Sequence, residues 1–243
     1  MKVFGFKTGK ESRFINITCN IILGAIVLVV LSLSFLAPVT TEVFKEGYSA
    51  IYCGNKNNKN ISLMINVYWG DEYLDGMLEV LERNNAKATF FVGGSWAVKN
   101  TEMLLKFIKG GHEIGNHGYN HKDHAKISDQ KAITEIDMTT KVVYTATGKN
   151  MDLFAPPSGS VNSNVVKLAS GLGYKTIMWS KDTIDWRDKD SALVYKRATE
   201  NAANGDLILM HPTKHTLEAL DNICKTLNEK GFNLTTVSQN IAE

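Results

Sequence analysis

From position 61 the chain alternates between two hydrophobic periods. Residues 61–67 form a short, mostly apolar run that reads as a buried strand. Leu74, Met77, Leu78 and Leu81 then recur at helical spacing. Residues 88–92 give the next strand, and Leu104, Leu105 and Ile108 a helix closed by Gly110-Gly111. The alternation continues with helix over 127–147, strand at 153–154, helix over 162–172 and strand over 174–179. It ends with helix over 192–203, strand over 207–210, helix over 215–229 and a last strand over 234–237. Repeated β-then-α units predict a parallel sheet, open or closed as a barrel. In such folds chemistry gathers at the C-terminal ends of the strands.

The first sixty residues follow neither period. Positions 21–39 hold 19 residues without a charged side chain, which spans about 28 Å as a helix, close to a hydrocarbon core. Lys2, Lys7, Lys10 and Arg13 precede the run and Glu42 follows it. The positive-inside rule then places residues 1–20 in the cytoplasm and the large domain outside, on a single-pass anchor in the cell membrane. A cleaved signal peptide is the rival reading, but Phe35-Leu36-Ala37-Pro38 is a poor cleavage site. Residues 40–60 read as a stalk, because Gly54-Asn55-Lys56-Asn57-Asn58-Lys59-Asn60 is polar and aperiodic. Residues 61–243 are left as the domain.

Charge narrows the partners. Of 27 basic and 25 acidic residues, five and two lie in residues 1–45, so the remainder carries 22 and 23, a net of −1. Such a domain has no electrostatic footprint for nucleic acid. Cys19 sits at the start of the anchor; Cys53 and Cys224 could pair outside the cell, with two unpaired, partly buried thiols the preferred reading.

Three polar clusters carry the candidate chemistry. The first is Gly111-His112-Glu113-Ile114-Gly115-Asn116-His117-Gly118-Tyr119-Asn120-His121. One helical turn would put His117 and His121 on one face. Two imidazoles and a carboxylate suit a divalent cation such as zinc. Two surface histidines are the plainer explanation, and an H-x-x-x-H alone is weak, but three of six histidines fall in this one segment. His124 is a further neighbour without an assigned role. The second cluster is Lys181-Asp182-Thr183-Ile184-Asp185-Trp186-Arg187-Asp188. Its acids either orient a neighbouring group or form a solvated, capped turn. Trp186 beside them suits stacking on a sugar face. The third is Gly205-Asp206-Leu207-Ile208-Leu209-Met210-His211-Pro212. A histidine at a strand tip is a natural general acid or base, or else a capped core residue.

In order, these segments resemble the NodB-homology polysaccharide deacetylases, carbohydrate esterase family 4. Ala88-Thr89-Phe90-Phe91-Val92-Gly93-Gly94 resembles the family's second strand, and residues 111–121 its H-x-x-x-H metal segment. Phe154-Ala155-Pro156-Pro157-Ser158-Gly159 resembles R-P-P-Y-G, residues 182–186 D-x-x-D-W, and Leu209-Met210-His211 the terminal L-x-H. Five weak motifs in the right order are together specific. The resemblance covers residues 61–238. It implies an α/β fold, a distorted (β/α) barrel of NodB type, here preceded by one N-terminal transmembrane helix. The implied chemistry is metal-dependent removal of N-acetyl groups from a polysaccharide, with peptidoglycan suggested by the outward-facing domain. His117 and His121 would be metal ligands, His211 the acid and Asp185 its orienting partner. Trp186 and Leu209 would wall the acetyl pocket, with Pro157 and Ser158 also on the substrate side.

The sequence departs from the family at the base. T-F-D-D-G becomes Met64-Ile65-Asn66-Val67-Tyr68-Trp69-Gly70-Asp71. The base aspartate aligns with Asn66, whose amide cannot take a proton as a carboxylate does. Asp71 or Glu72 is left to stand in as third metal ligand. The family's arginine, which braces the base, aligns with Ala155, and its tyrosine with Ser158. The two losses fit each other, since a buried guanidinium without its carboxylate is costly. Retention of the other motifs favours a divergent hydrolase. The alternative is a catalytically silent, glycan-binding protein at the cell surface.

Overall fold

The computed structural model describes residues 20–25 and 48–242. Residues 20–25 are helical and exposed. The anchor expected at 21–39 otherwise lies outside the described residues, as do Cys19 and the start of the expected stalk. Among the described residues no helix is long and apolar enough to cross a membrane.

The unit from Tyr48 onward is built on one parallel sheet. Its strands are β1 (Asn60–Val67), β2 (Ala88–Val92), β3 (Glu113–Asn116), β4 (Leu153–Phe154), β5 (Lys175–Thr176), β6 (Lys181–Asp182), β7 (Leu207–Met210) and β8 (Asn233–Leu234). Their order is β5-β4-β3-β2-β1-β7-β6, with β8 beside the start of β1. The helices are α1 (Asp71–Arg83), α2 (Gly94–Ala97), α3 (Thr101–Lys109), α4 (Asp129–Thr147), α5 (Ser163–Gly171), α6 (Ser191–Thr199), α7 (Lys214–Glu229) and α8 (Val237–Ile241).

Chain length forces the sheet to curl. Laid flat, β5 and β6 would stand six strand spacings apart, about 29 Å. Only residues 177–180 join them, and five extended steps reach about 18 Å. The two edges must therefore approach each other, which gives the distorted parallel half-barrel that the resemblance implies. Ile51 helps by bridging Ile177, while Ser180 N–H donates to Leu207 O at 3.0 Å.

Strand alternation divides the core in two. Ile61, Leu63, Ile65 and Val67 of β1 pack outward beneath the helices with Leu74, Met77, Phe90 and Leu220. Met64 points the other way, into a small inner cluster with Phe91, Leu153, Ala155, Ile177, Leu207 and Val237. Asn66 shares the parity of Met64 and lines the cleft above that cluster. One step along, Val67 belongs to the outer core.

Four local expectations change. Residues 51–60 are packed into the domain instead of forming a stalk: Gly54 N–H donates to Gly205 O at 2.7 Å, and Asn55 N–H to Asn240 O at 2.8 Å. The strand expected over 174–179 is cut to two residues, because Ile177 turns to pair with Ile51. The last strand stops at Leu234, where the Thr236–Gln239 capping box starts α8. Residues 113–116, for which the hydrophobic pattern gives no element, are β3. Cys53 and Cys224 are free thiols, with burial pushing Cys224 up to about 12.

At the far end of the sheet from the cleft, His112 is buried with its edge on Phe90 at 5.4 Å. Its Nδ1 accepts from Ala88 N–H at 3.2 Å. Burial first, then the Lys87 ammonium, push its pKa down to about 4. Below the ordinary value of about 6.5 the unfolded chain takes up a proton at this site while the folded chain does not. Stability should therefore fall as pH drops from 6.5 toward 4. His112→Asn, which keeps an acceptor for Ala88, should flatten the pH dependence of urea unfolding by up to one proton, about 1.4 kcal/mol per pH unit.

Candidate active site

The C-terminal ends of β1, β4, β6 and β7 open onto one cleft of about 350 Å³. Asn66, Tyr68, Trp69, His121, Ser158, Trp179, Asp182, Trp186, Leu209 and His211 contribute to its walls. Sequence-predicted Pro157 is buried and stands back from that lining, against Gly118.

One side holds an acid pair. Asp185 is 1% exposed, and a carboxylate that dry must be paired. Its Oδ1 accepts from His211 Nδ1 at 2.8 Å, and its Oδ2 from His211 N–H at 2.6 Å and Thr216 Oγ1–H at 2.5 Å. Burial would raise the Asp185 pKa, but these donors outweigh it and hold the carboxyl below the usual range. The arrangement fixes the His211 proton on Nδ1 and leaves Nε2 as the reactive nitrogen. The loop carrying Asp185 is itself braced. Arg197 donates to Thr183 O at 2.9 Å and to Asp188 Oδ2 at 2.6 Å. Asp182 Oδ1 accepts from Ile184 N–H at 2.8 Å, the local turn that sequence offered as the plain explanation of this acid.

The other side holds the histidines of the H-x-x-x-H segment. They do not share a helix face. His117 follows β3 directly, whereas His121 sits in a loop at φ 54°. Their ring centroids are nevertheless 5.0 Å apart. His117 is buried, and its Nδ1 lies 2.7 Å from Ala155 O. A donated Nδ1–H leaves Nε2 with a free lone pair. Burial first, then the neighbouring His121, push the His117 pKa down to about 3. Burial likewise lowers His121. Both rings are thus neutral, the form a metal requires.

The loop between them is pinned by residues that sequence reasoning missed. Glu135 on α4 accepts from Tyr119 N–H at 2.8 Å, Asn120 N–H at 2.5 Å and Asn120 Nδ2 at 3.0 Å. Asn116 Oδ1 accepts from Gly118 N–H at 2.9 Å. Gly118 has φ 70°, and a Cβ there would stand 2.9 Å from the His124 ring. The signal for Glu135 was present: it shares a helix face with Ala132, Ile136, Thr139 and Val143, all buried. An acid on an apolar face needs a partner.

Where the family carries its base, Asn66 is buried and its Oδ1 has no hydrogen-bond partner. Where the family's arginine stands, Ala155 is fully buried in the inner cluster. The position after the base is Val67, turned into the outer core. Asp71 does not replace it. It lies in the first turn of α1 and accepts from the Trp96 indole N–H. Among the described residues no group of three or more His, Cys, Asp or Glu converges to hold a metal ion. His117 and His121 suit such an ion, but the site is a carboxylate short of the usual three protein ligands.

The fold and the cleft define a carbohydrate-esterase scaffold, and the comparisons with known proteins give its family. The family model described as "Polysaccharide deacetylase" matches residues 54–177. The chain belongs to the polysaccharide deacetylase family, with an altered base position. A protein of Bacillus subtilis called YlxY, described as uncharacterized, is 39% identical over 78% of this chain and 59% of its own length. The peptidoglycan-N-acetylglucosamine deacetylase PgdA of Listeria monocytogenes is 34% identical over 76% of this chain and 39% of its own. The chain thus spans only part of these relatives. Among solved structures, a CE4 family pseudoenzyme from Bacillus anthracis superposes with a TM-score of 0.78 at 36% identity, covering 80% of this chain and 69% of that one. A mutant of that protein is described as having restored enzymatic activity.

Glu135 gives a test of the loop. Glu135→Ala strips the partner from the N–H groups of half-buried Tyr119 and exposed Asn120, where water recovers part of the loss, so the cost lies near the low end of about 1–3 kcal/mol. It should lower stability to urea measurably, and speed hydrogen exchange at Tyr119 and Asn120 before the rest of the domain. Glu135→Gln, which keeps one acceptor oxygen, should lose less.

Proposed function

We propose that the cleft binds an N-acetylated cell-wall glycan of the peptidoglycan type, and that the chain holds this glycan far better than it hydrolyses it. The observation that carries the reading is Asn66, a buried amide with an unpartnered oxygen where the family's base would act. Removal of an acetyl group needs two proton transfers: one from water as it adds to the carbonyl, one to the nitrogen as the C–N bond breaks. Asp185 accepts the Nδ1–H of His211 and leaves Nε2 toward the cleft, so a proton carried on Nε2 in the imidazolium form can pass to the leaving nitrogen, returning the ring to its neutral form. Asn66 cannot take the first. When bound to His117 and His121, a divalent ion such as zinc would supply Lewis-acid polarisation of the acetyl carbonyl. Leu209, Trp186 and Ser158 would shape the acetyl and sugar subsites around these groups. A general base contributes about 10²–10⁴-fold. Native hydrolysis should be slowed by that much relative to relatives with the full set.

The full chain should pellet with purified peptidoglycan and release little acetate from it, with or without added zinc. Asn66→Asp should raise acetate release by about 10²-fold or more with zinc supplied. Wild-type release at the rate of a complete deacetylase would overturn the reading. So would a failure to bind any N-acetylated glycan.

The charge-free run at 21–39 behind four cationic residues supports a place at the cell surface, with residues 45–243 outside. Protease added to intact protoplasts should then digest the large domain. Protection until lysis would contradict this topology.

A further inference from the structure

Trp69 is used by none of the chemistry above. It follows β1, exposes 46% of its surface and forms part of the cleft wall. Its ring lies nearly parallel to His211, 7° between planes and 5.9 Å between centroids. In the same lining Trp186 is 56% exposed, and Trp179 adds a third indole. Large apolar faces left open to water around one depression mark a binding surface.

The position of Trp69 is built. The next residue, Gly70, has φ 83°, and a Cβ there would stand 2.0 Å from Pro212 O. Only glycine lets the β1–α1 turn press onto the backbone after β7. That approach brings residue 69 over residue 211. The turn therefore spends its one permissive residue on seating an indole at the cleft mouth, three positions beyond the lost base.

We propose that Trp69 is a sugar-stacking platform. Together with Trp186 it grips one pyranose ring of an N-acetylated glycan, so that the glycan is retained without being hydrolysed. A pyranose offers an apolar C–H face and a hydroxylated rim. The cleft answers with indoles and, in the same lining, the polar groups of Asn66, His121, Asp182 and His211. A lipid tail would leave those polar groups unpaired. A nucleic acid would meet no cationic surface. The inference rests on the glycan reading above, and it names the residue that gives that reading its affinity.

The test is titration of the full chain with chitotetraose, followed by tryptophan fluorescence and calorimetry. Trp69→Ala should weaken binding at least about tenfold, the loss expected for an aromatic anchor. Trp69→Phe should stay within a few-fold, and the exposed control Leu105→Ala should not change. The thermal midpoint of Trp69→Ala should match wild type, because the side chain is half exposed. Wild type that binds while Trp69→Ala binds equally well overturns the platform and leaves the glycan reading standing. Wild type that binds neither chitotetraose nor peptidoglycan overturns both. A midpoint lowered equally in the Ala and Phe variants assigns Trp69 to packing and overturns the platform.

Discussion

The site is organised around one buried carboxylate. Asp185 has almost no access to water, so its charge must be matched within the protein. The donors come from the end of β7 and the start of α7, while the carboxylate comes from the loop after β6. Two stretches 26 to 31 residues apart in sequence are thereby locked to one point. His211 acquires a single tautomer and a single ring plane. Arg197, in turn, locks the loop through Thr183 and Asp188. Trp69 can lie flat on His211 only because that imidazole is held still.

Across the cleft the electrostatics have been emptied. A family member would balance a metal ion with carboxylates on β1 and brace one of them with an arginine on β4. Here those places hold an amide, a valine in the outer core and an alanine in the inner one. Burial keeps His117 uncharged well below ordinary pH, and Glu135 on that side is turned to the loop N–H groups of Tyr119 and Asn120. The change is coherent, because no lone charge is stranded. The half with the acid pair is intact; the half with the histidines is one ligand short.

Much of this was legible in sequence, and the exceptions have physical causes. Long apolar periods gave β1, β2, β7 and the helices α1, α4 and α7 close to their true bounds. Five motifs in order gave the family. The short strands did not announce themselves. Residues 113–116 carry a glutamate, a glycine and an asparagine, and are held as β3 by pairing with β2, a non-local cause. H-x-x-x-H spacing suggested a helix, yet the rings meet through a left-handed His121 and a loop pinned by Glu135. Asp71 had the right chemistry for a ligand, but its partner, the Trp96 indole, lies 25 residues on and no local pattern reveals it. Tyr68 and Trp69 stood in the quoted segment and were passed over, since an aromatic residue after a strand reads as core until its exposure is known.

The position of β1 in the sheet has a consequence for biosynthesis. β1 is hydrogen-bonded to β2 on one side, and to β7 and β8 on the other. The second set of partners lies about 140 residues or more downstream. At a synthesis rate of about 5–20 residues per second, the longest strand of the fold waits some 7–28 s with one edge unpaired. An open apolar edge invites pairing with other chains. The emerging polypeptide thus carries that edge open until β7 has been made.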